Sequence, residues 1–237
     1  MQSATGARAA ALDGQRRAEL EPARRGDAVP TDATGWSAPR RGLALRTARR
    51  GIDLLAAALL LLFTAPLSLI VAALIKLEDG GPVLFRQTRV GRHGAVFTLR
   101  KFRSMAVDAE AHSGPVWAQR DDPRVTRVGR WMRPLGIDEI PQAWNVLRGE
   151  MSFVGPRPER PEFVAALEAA IPRYAQRHQV RPGITGWAQV NLPYGATVDD
   201  ARHKLDCDLY YLSHRSVRLD LSIMLLTVWR AVVGRGH

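Results

Sequence analysis

The chain has 237 residues, room for one domain of ordinary size beside a tail, or for two small domains. Lys and Arg total 34 against 23 Asp and Glu, and the formal charge of +11 favours anionic partners: nucleic acid, acidic lipid heads or phosphorylated substrates. The single cysteine, Cys207, excludes an internal disulfide and a thiolate metal site, and the six histidines show no zinc-ligand spacing.

Residues 1–45, rich in Ala, Arg, Gly, Asp and Pro without apolar periodicity, predict a disordered, mildly basic tail. No apolar core follows the early arginines closely enough for a secretory signal. Residues 54–75, "LLAAALLLLFTAPLSLIVAALI", hold no charge over 22 positions. At ~1.5 Å per residue that length meets the ~30 Å of a membrane's hydrocarbon. Pro66 near the middle removes a backbone donor and clashes with the preceding turn, which predicts a break in a membrane helix over 46–79. Thr64 and Ser68 stand where they can satisfy the freed backbone groups. Arg49 and Arg50 precede the run, and Lys76, Arg86, Arg89 and Arg92 follow it. Cytosolic loops carry positive charge, so both flanks ask for the same side. A helix that enters and returns meets that demand; a single spanning helix is the alternative.

Residues 80–237 predict a mixed, helix-rich α/β domain. "PVLFRQTRVG" and "AVFTLRKFRSM" suggest a hairpin. Over 123–134, Arg124, Arg127, Arg130 and Arg133 recur every three residues beside Val125, Val128, Trp131 and Met132. On a helix that makes a basic stripe beside an apolar one, suited to anionic lipid heads or a phosphate, or simply to solvent. Residues 138–148 read as helix with Ile140, Ala143, Trp144 and Leu147 inward, and 159–179 as helix again. "VRPGITGWAQVN" reads as a loop, and "RLDLSIMLLTVWRAVVGRG" as an apolar-faced helix for the core or the bilayer interface.

The candidate chemistry is a pair of carboxylates, Asp138 and Glu139, set among Lys101, Arg103, Arg157 and Arg181. The planar guanidinium fork binds two phosphate oxygens at once. A carboxylate beside several cations stays ionised, and as such it can attack phosphorus or hold Mg²⁺. Neighbours on a helix point about 100° apart, so the two acids take different roles. Capping or salt bridging is the plainer reading of the same pair.

Taken together, "RRGIDLL", "GPVLFRQTRVGRHG", "FTLRKFRSM", "DDPRVTRVGRWMR", "IDEIPQAWNVLRGEMSFVGPRPERPEF", "RHQVRPGITGWAQVN" and "KLDCDLYYLSHRSVRLDLSIMLLT" run in one order over residues 49–230. In that order they resemble the bacterial sugar transferases, the monotopic polyprenyl-phosphate phosphoglycosyl transferases. The resemblance implies transfer of a sugar 1-phosphate from a UDP-sugar to undecaprenyl phosphate, with release of UMP. It implies a covalent phosphosugar-aspartyl enzyme, Mg²⁺, and a place at the cytoplasmic face of the bacterial inner membrane among anionic lipids. Carried over motif by motif, Asp138 is the expected nucleophile and Glu139 its partner, both candidates to hold the metal. Lys101 is expected in the catalytic site, and Arg103, Arg157, Pro158, Arg181 and Asp208 around the substrate and its phosphates. With no membrane bundle before residue 49, the small form of the family is expected, with a homodimer as a possible assembly.

Two departures stand out. The family often breaks its membrane helix at Ser-Pro, where this chain has Ala65-Pro66. It also tends to place Ser or Thr shortly before the acid pair, where Gly136 stands here, a change that costs only a few tenths of a kcal/mol at a cap. A membrane-tethered nucleic-acid-binding protein would explain the charge, but no recognition helix or RNP-like aromatic pair is present, and no nucleic-acid partner is expected. A non-catalytic scaffold is the other rival, and the intact acid pair and phosphate motifs argue against it.

Overall fold

The longest element is a helix, and its sequence explains both its length and its placement. The computed structural model describes residues 42–111, 114–117, 122–193 and 195–232, so the predicted tail lies, up to residue 41, outside the described residues. Helix α1 spans Leu43–Asp79, ends at Gly80 in the left-handed conformation, and contains Pro66. The chain stays helical through Pro66, so the predicted break does not end the element. The Thr64 hydroxyl donates to the Leu60 carbonyl at 2.6 Å, inside the turn that the proline strains.

One face of α1 packs along the domain for nearly its whole length. Ala57 is buried with Leu99, Ala143, Val146 and Met151, and Val71 and Ile75 with Phe102, Met132 and Ile140. Both ends are tied down as well. Near the start, Arg49 is ion-paired with Asp220, and Arg50 donates to the carbonyls of Val146 and Leu147. At the far end, Glu78 accepts the Arg127 and Val128 amides, and Asp79 pairs with Arg103. The opposite face is apolar and bare: Leu55, Leu62, Phe63, Leu69 and Ile70 are exposed. α1 is long and apolar enough to cross a membrane, yet little of its apolar stretch is buried in the protein.

The expected hairpin is present as β1 (Leu84–Val90) and β2 (Val96–Phe102), antiparallel with Phe85 opposite Lys101. The basic stripe is only partly helical. Helix α2 covers Arg127–Met132, because Thr126 caps it by accepting the Gly129 amide. Arg124 falls outside, folded onto Asp122. After tight turns at Arg133–Leu135 and Ile137–Glu139 comes α3, Gln142–Arg148. Trp144 is 47% exposed, against the inward position expected of it. Helix α4 (Pro161–Ala170) gives way to a separate turn at Tyr174–Gln179, so 159–179 is not one helix.

"VRPGITGWAQVN" is not a loop. Gly183–Thr185 is a strand, β4, parallel to β3 (Ser152–Val154), and Trp187–Asn191 is a short helix, α5. The glycines allow it: a Cβ on Gly183 would stand 2.1 Å from the Gly155 nitrogen, and one on Gly186 2.2 Å from the Gly155 oxygen. Two backbones therefore meet where Pro and Gly had suggested open turns. Helix α6 (Val198–His214) opens with a Thr197–Asp200 capping box, and α7 (Val217–Val232) closes the described chain. Leu225, Val228 and Trp229 of α7 face outward, while Ile223 of the same helix is buried.

Candidate active site

The acid pair sits on the tight turn before α3. Gly136 enters that turn at φ 66°, a conformation that favours glycine over the serine or threonine of the resemblance. The turn sends its two acids apart, as adjacency requires. Asp138 is 6% exposed and points into the domain. Glu139 meets Arg157, whose Nη1 and Nη2 grip its two carboxylate oxygens as a fork.

Strand β2 supplies the cation on the other side. Lys101 lies 5.4 Å from the centre of the Phe85 ring, its partner across the hairpin. Burial lowers its pKa, and the negative charge of Asp138 pulls it back up. Asp138 in turn is pushed up to about 6, by burial first and the Glu139 charge second, against Lys101, Arg157 and Arg133. Among the described residues no group donates a hydrogen bond to its carboxylate. Asp138 is thus a buried carboxylate in a field of cations, with no donor on its oxygens among the described residues, an arrangement that suits an oxygen nucleophile.

Three residues outside the expected site set hold this arrangement. Asn145 is fully buried on α3; its Nδ2 donates to the Thr98 carbonyl at 2.7 Å and its Oδ1 accepts the Arg100 amide at 3.2 Å. That clamp fixes the strand bearing Lys101 against the helix behind Asp138. Arg177 donates to Asp208 through Nε at 2.9 Å, to the Tyr174 hydroxyl at 2.7 Å, and to the Arg157 carbonyl at 2.9 Å. Arg89 donates to the Pro158 carbonyl at 2.9 Å, so buried Pro158 shapes the turn from inside. The "RHQVRPG" segment contained Arg177, but nothing local distinguished it from Arg181.

The expected site residues therefore divide. Asp138, Glu139, Lys101 and Arg157 come together. Asp208 is a step behind them, holding Arg177, which holds the backbone of Arg157. Arg103 is buried and committed to Asp79 and the Pro82 carbonyl, so it locks the end of α1 instead of facing a phosphate. Arg181 donates to the Gly149 carbonyl at 2.8 Å, past the C-terminal end of α3, while Asp138 precedes its start. The seven residues of α3 put roughly 10 Å of helical rise between those ends.

Mg²⁺ usually keeps waters and takes one or two carboxylates plus substrate phosphates. Asp138 and Glu139 fit that donor set, and no larger cluster of His, Cys, Asp or Glu suited to a metal occurs among the described residues.

Sequence comparison supplies the context. The profile described as bacterial sugar transferase matches residues 44–234. The UDP-N-acetylgalactosamine-undecaprenyl-phosphate N-acetylgalactosaminephosphotransferase of Aeromonas hydrophila is 49% identical over 188 residues, 79% of this chain and 44% of its own. The undecaprenyl-phosphate glucose phosphotransferase of Komagataeibacter xylinus is 48% identical over 192 residues, 79% of this chain and 36% of its own. The UDP-glucose:undecaprenyl-phosphate glucose-1-phosphate transferase of Caulobacter vibrioides is 48% identical over 198 residues, 82% of this chain and 72% of its own. The chain thus spans less than half the length of the first two relatives and most of the third.

Proposed function

The chain belongs to the bacterial sugar transferase family, and from that premise we propose that it transfers a sugar 1-phosphate from a UDP-sugar to undecaprenyl phosphate. The observation that carries this reading is Asp138: buried, without a hydrogen bond from the described residues, and facing Lys101 with Glu139 and Arg157 alongside.

An Asp138 Oδ atom attacks the phosphorus that bears the sugar. The P–O bond to UMP breaks, and an acyl phosphate joins Asp138 to the sugar. The acceptor's phosphate oxygen then attacks the same phosphorus, and the carboxylate departs with its electron pair. Two displacements replace one, and no net proton moves on the protein. Lys101 and Arg157 lower the cost of charge gathering on the phosphoryl oxygens. Asp138 and Glu139 would hold Mg²⁺, which supplies Lewis-acid neutralisation of the diphosphate when bound. Because Arg157 already holds Glu139, diphosphate binding has Arg157 shared between the acid and the substrate.

The same reading places the protein on the cytoplasmic face of a bacterial inner membrane, at the first step of a surface or secreted glycan. Both ends of α1 are tied to one domain, which supports a helix that dips into one leaflet and returns. A long lipid acceptor stays in the bilayer, since each CH₂ moved to water costs ~0.8 kcal/mol, so the site has to come to the surface.

Purified membranes given undecaprenyl phosphate, Mg²⁺ and a panel of UDP-sugars are expected to release UMP with one or a few of them. Release unchanged by omission of undecaprenyl phosphate would refute the acceptor, and a residue near position 42 labelled from the periplasm would refute the topology.

A further inference from the structure

Several cations outside the acid-pair site gather at one end of α3. Arg50 and Arg181 meet at the C-terminal end of α3: Arg50 donates to Val146 O at 2.7 Å and Leu147 O at 2.9 Å, and Arg181 to Gly149 O at 2.8 Å. An Arg50 nitrogen stands 3.5 Å from where a Cβ on Gly149 would lie. From the hairpin turn, Arg92 reaches the Gln179 carbonyl at 3.3 Å, two residues before Arg181. Arg215, between α6 and α7, leaves its Nε buried without a hydrogen-bond partner among the described residues. Arg46 stands exposed one turn before Arg50.

Few acids balance these five cations. Asp53 is engaged by the Ser152 hydroxyl and the Phe153 amide, both at 3.0 Å. Asp220 is held by Arg49 and by the Tyr211 hydroxyl. The arginines are close enough to repel: Arg92 is lowered by burial and then by Arg46 and Arg215, and Arg181 by burial and then by Arg50, Arg92 and Arg215. Like charges gathered without acids are stabilised by a bound anion.

We propose that Arg46, Arg50, Arg92, Arg181 and Arg215 form a second phosphate site, occupied by the headgroup of an anionic membrane phospholipid. Position selects the lipid. Arg46 and Arg50 lie within the last two turns before the uncharged run from Leu54, where the phosphates of a leaflet meet an inserted helix. Helix α7, held to this end of α1 by Asp220, turns Leu225, Val228 and Trp229 outward beside it. Distance excludes the reacting acceptor in this position. Its phosphate must come within ~3–3.5 Å of the phosphorus on Asp138, and this site lies beyond the other end of α3. The inference rests on the membrane placement of α1 but not on the transfer chemistry.

The test uses the full chain in detergent, without substrates. Short-chain phosphatidylglycerol is expected to raise the thermal midpoint by roughly 5–10 °C at saturation. Phosphatidylcholine and inorganic phosphate are expected to leave it unchanged. The double variant Arg92→Gln/Arg215→Gln is expected to lose the response, and Arg92→Lys/Arg215→Lys to keep it. Should the glutamine pair fail to fold, Arg46→Glu on the exposed turn is expected to weaken the response. Equal responses in wild type and these charge-removing variants, or no response in wild type, would overturn the site. A response to inorganic phosphate matching that to phosphatidylglycerol would overturn the lipid as its occupant. UMP release is measured separately, so loss of either reading leaves the other standing.

Discussion

Asp138 and Asp208 are both buried, and burial pushes both up to about 6, yet the protein surrounds them in opposite ways. Asp208 takes two nitrogens of Arg177, at 2.9 and 2.8 Å, and that guanidinium spends its remaining donors on Tyr174 and the Arg157 carbonyl. Asp138 has cations around it but no donor among the described residues on its oxygens. The first arrangement uses up a carboxylate to hold a backbone in place. The second keeps one available at the expense of stability. Burial and a raised pKa alone do not single out a candidate nucleophile; what sets Asp138 apart from Asp208 is the missing donor.

The sharpest way to break this contrast is to neutralise each acid in turn. Asp138→Asn is expected to lower turnover on the order of 10⁴-fold or more, read as UMP release. It should also raise the thermal midpoint, because keeping this acid ionised at neutral pH costs the fold about 2–3 kcal/mol. A variant that stayed active, or lost stability, would place Asp138 with the structural acids. Asp208→Asn should do the reverse. It strands Arg177 in the interior, and a loss of about 3–5 kcal/mol is expected in chemical denaturation. Weaker turnover should accompany it, since the Arg157 backbone loses its anchor.

The arginines extend the comparison. Arg157→Lys keeps the charge but not the fork, and a fall of about 10- to 100-fold in kcat/KM is expected, with little change in stability. An equal loss of stability would assign Arg157 the same role as Arg177. The smallest effect is in the pH profile. Turnover needs Asp138 ionised, so it should drop about tenfold per pH unit below roughly pH 6. Stability moves the other way: with the folded pKa raised above the ordinary 3.8, the contribution of Asp138 is fully present below pH 4 and lost as pH rises through 6. Asp208 contributes with the same sign, so Asp138→Asn should flatten this slope without abolishing it.

Much of this was legible in the residues, and the failures share a cause. The hairpin followed from β-branched runs around a glycine turn, and the acid pair from motifs whose chemistry is local. The divergence of Asp138 from Glu139 followed from adjacency alone. What could not be read was long-range. Arg103 looks like a ligand of the reacting phosphates until Asp79, 24 residues away, is seen to occupy it, and Arg181 until Gly149, 32 residues away, is seen to hold it at the far end of α3. Gly183 and Gly186 suggested a loop because their reason lies in the backbone of Gly155, which no local pattern reveals. Trp144 was assigned inward by helical spacing, but its helix has two apolar sides and only one meets the domain.

Helix α1 carries a consequence for how such a protein can change over evolution. Its inward face supplies Ala57, Val71 and Ile75 to the two apolar clusters that back the catalytic turn, while its outward face is the part fit for lipid. Candidate lipid face and interior wall belong to one helix. A tail anchor or a lipid-modified terminus could keep the domain at a membrane, but neither would fill the trough left by α1. The helix is therefore not a detachable module: it can lengthen or acquire upstream partners, but it cannot be exchanged without recutting the interior.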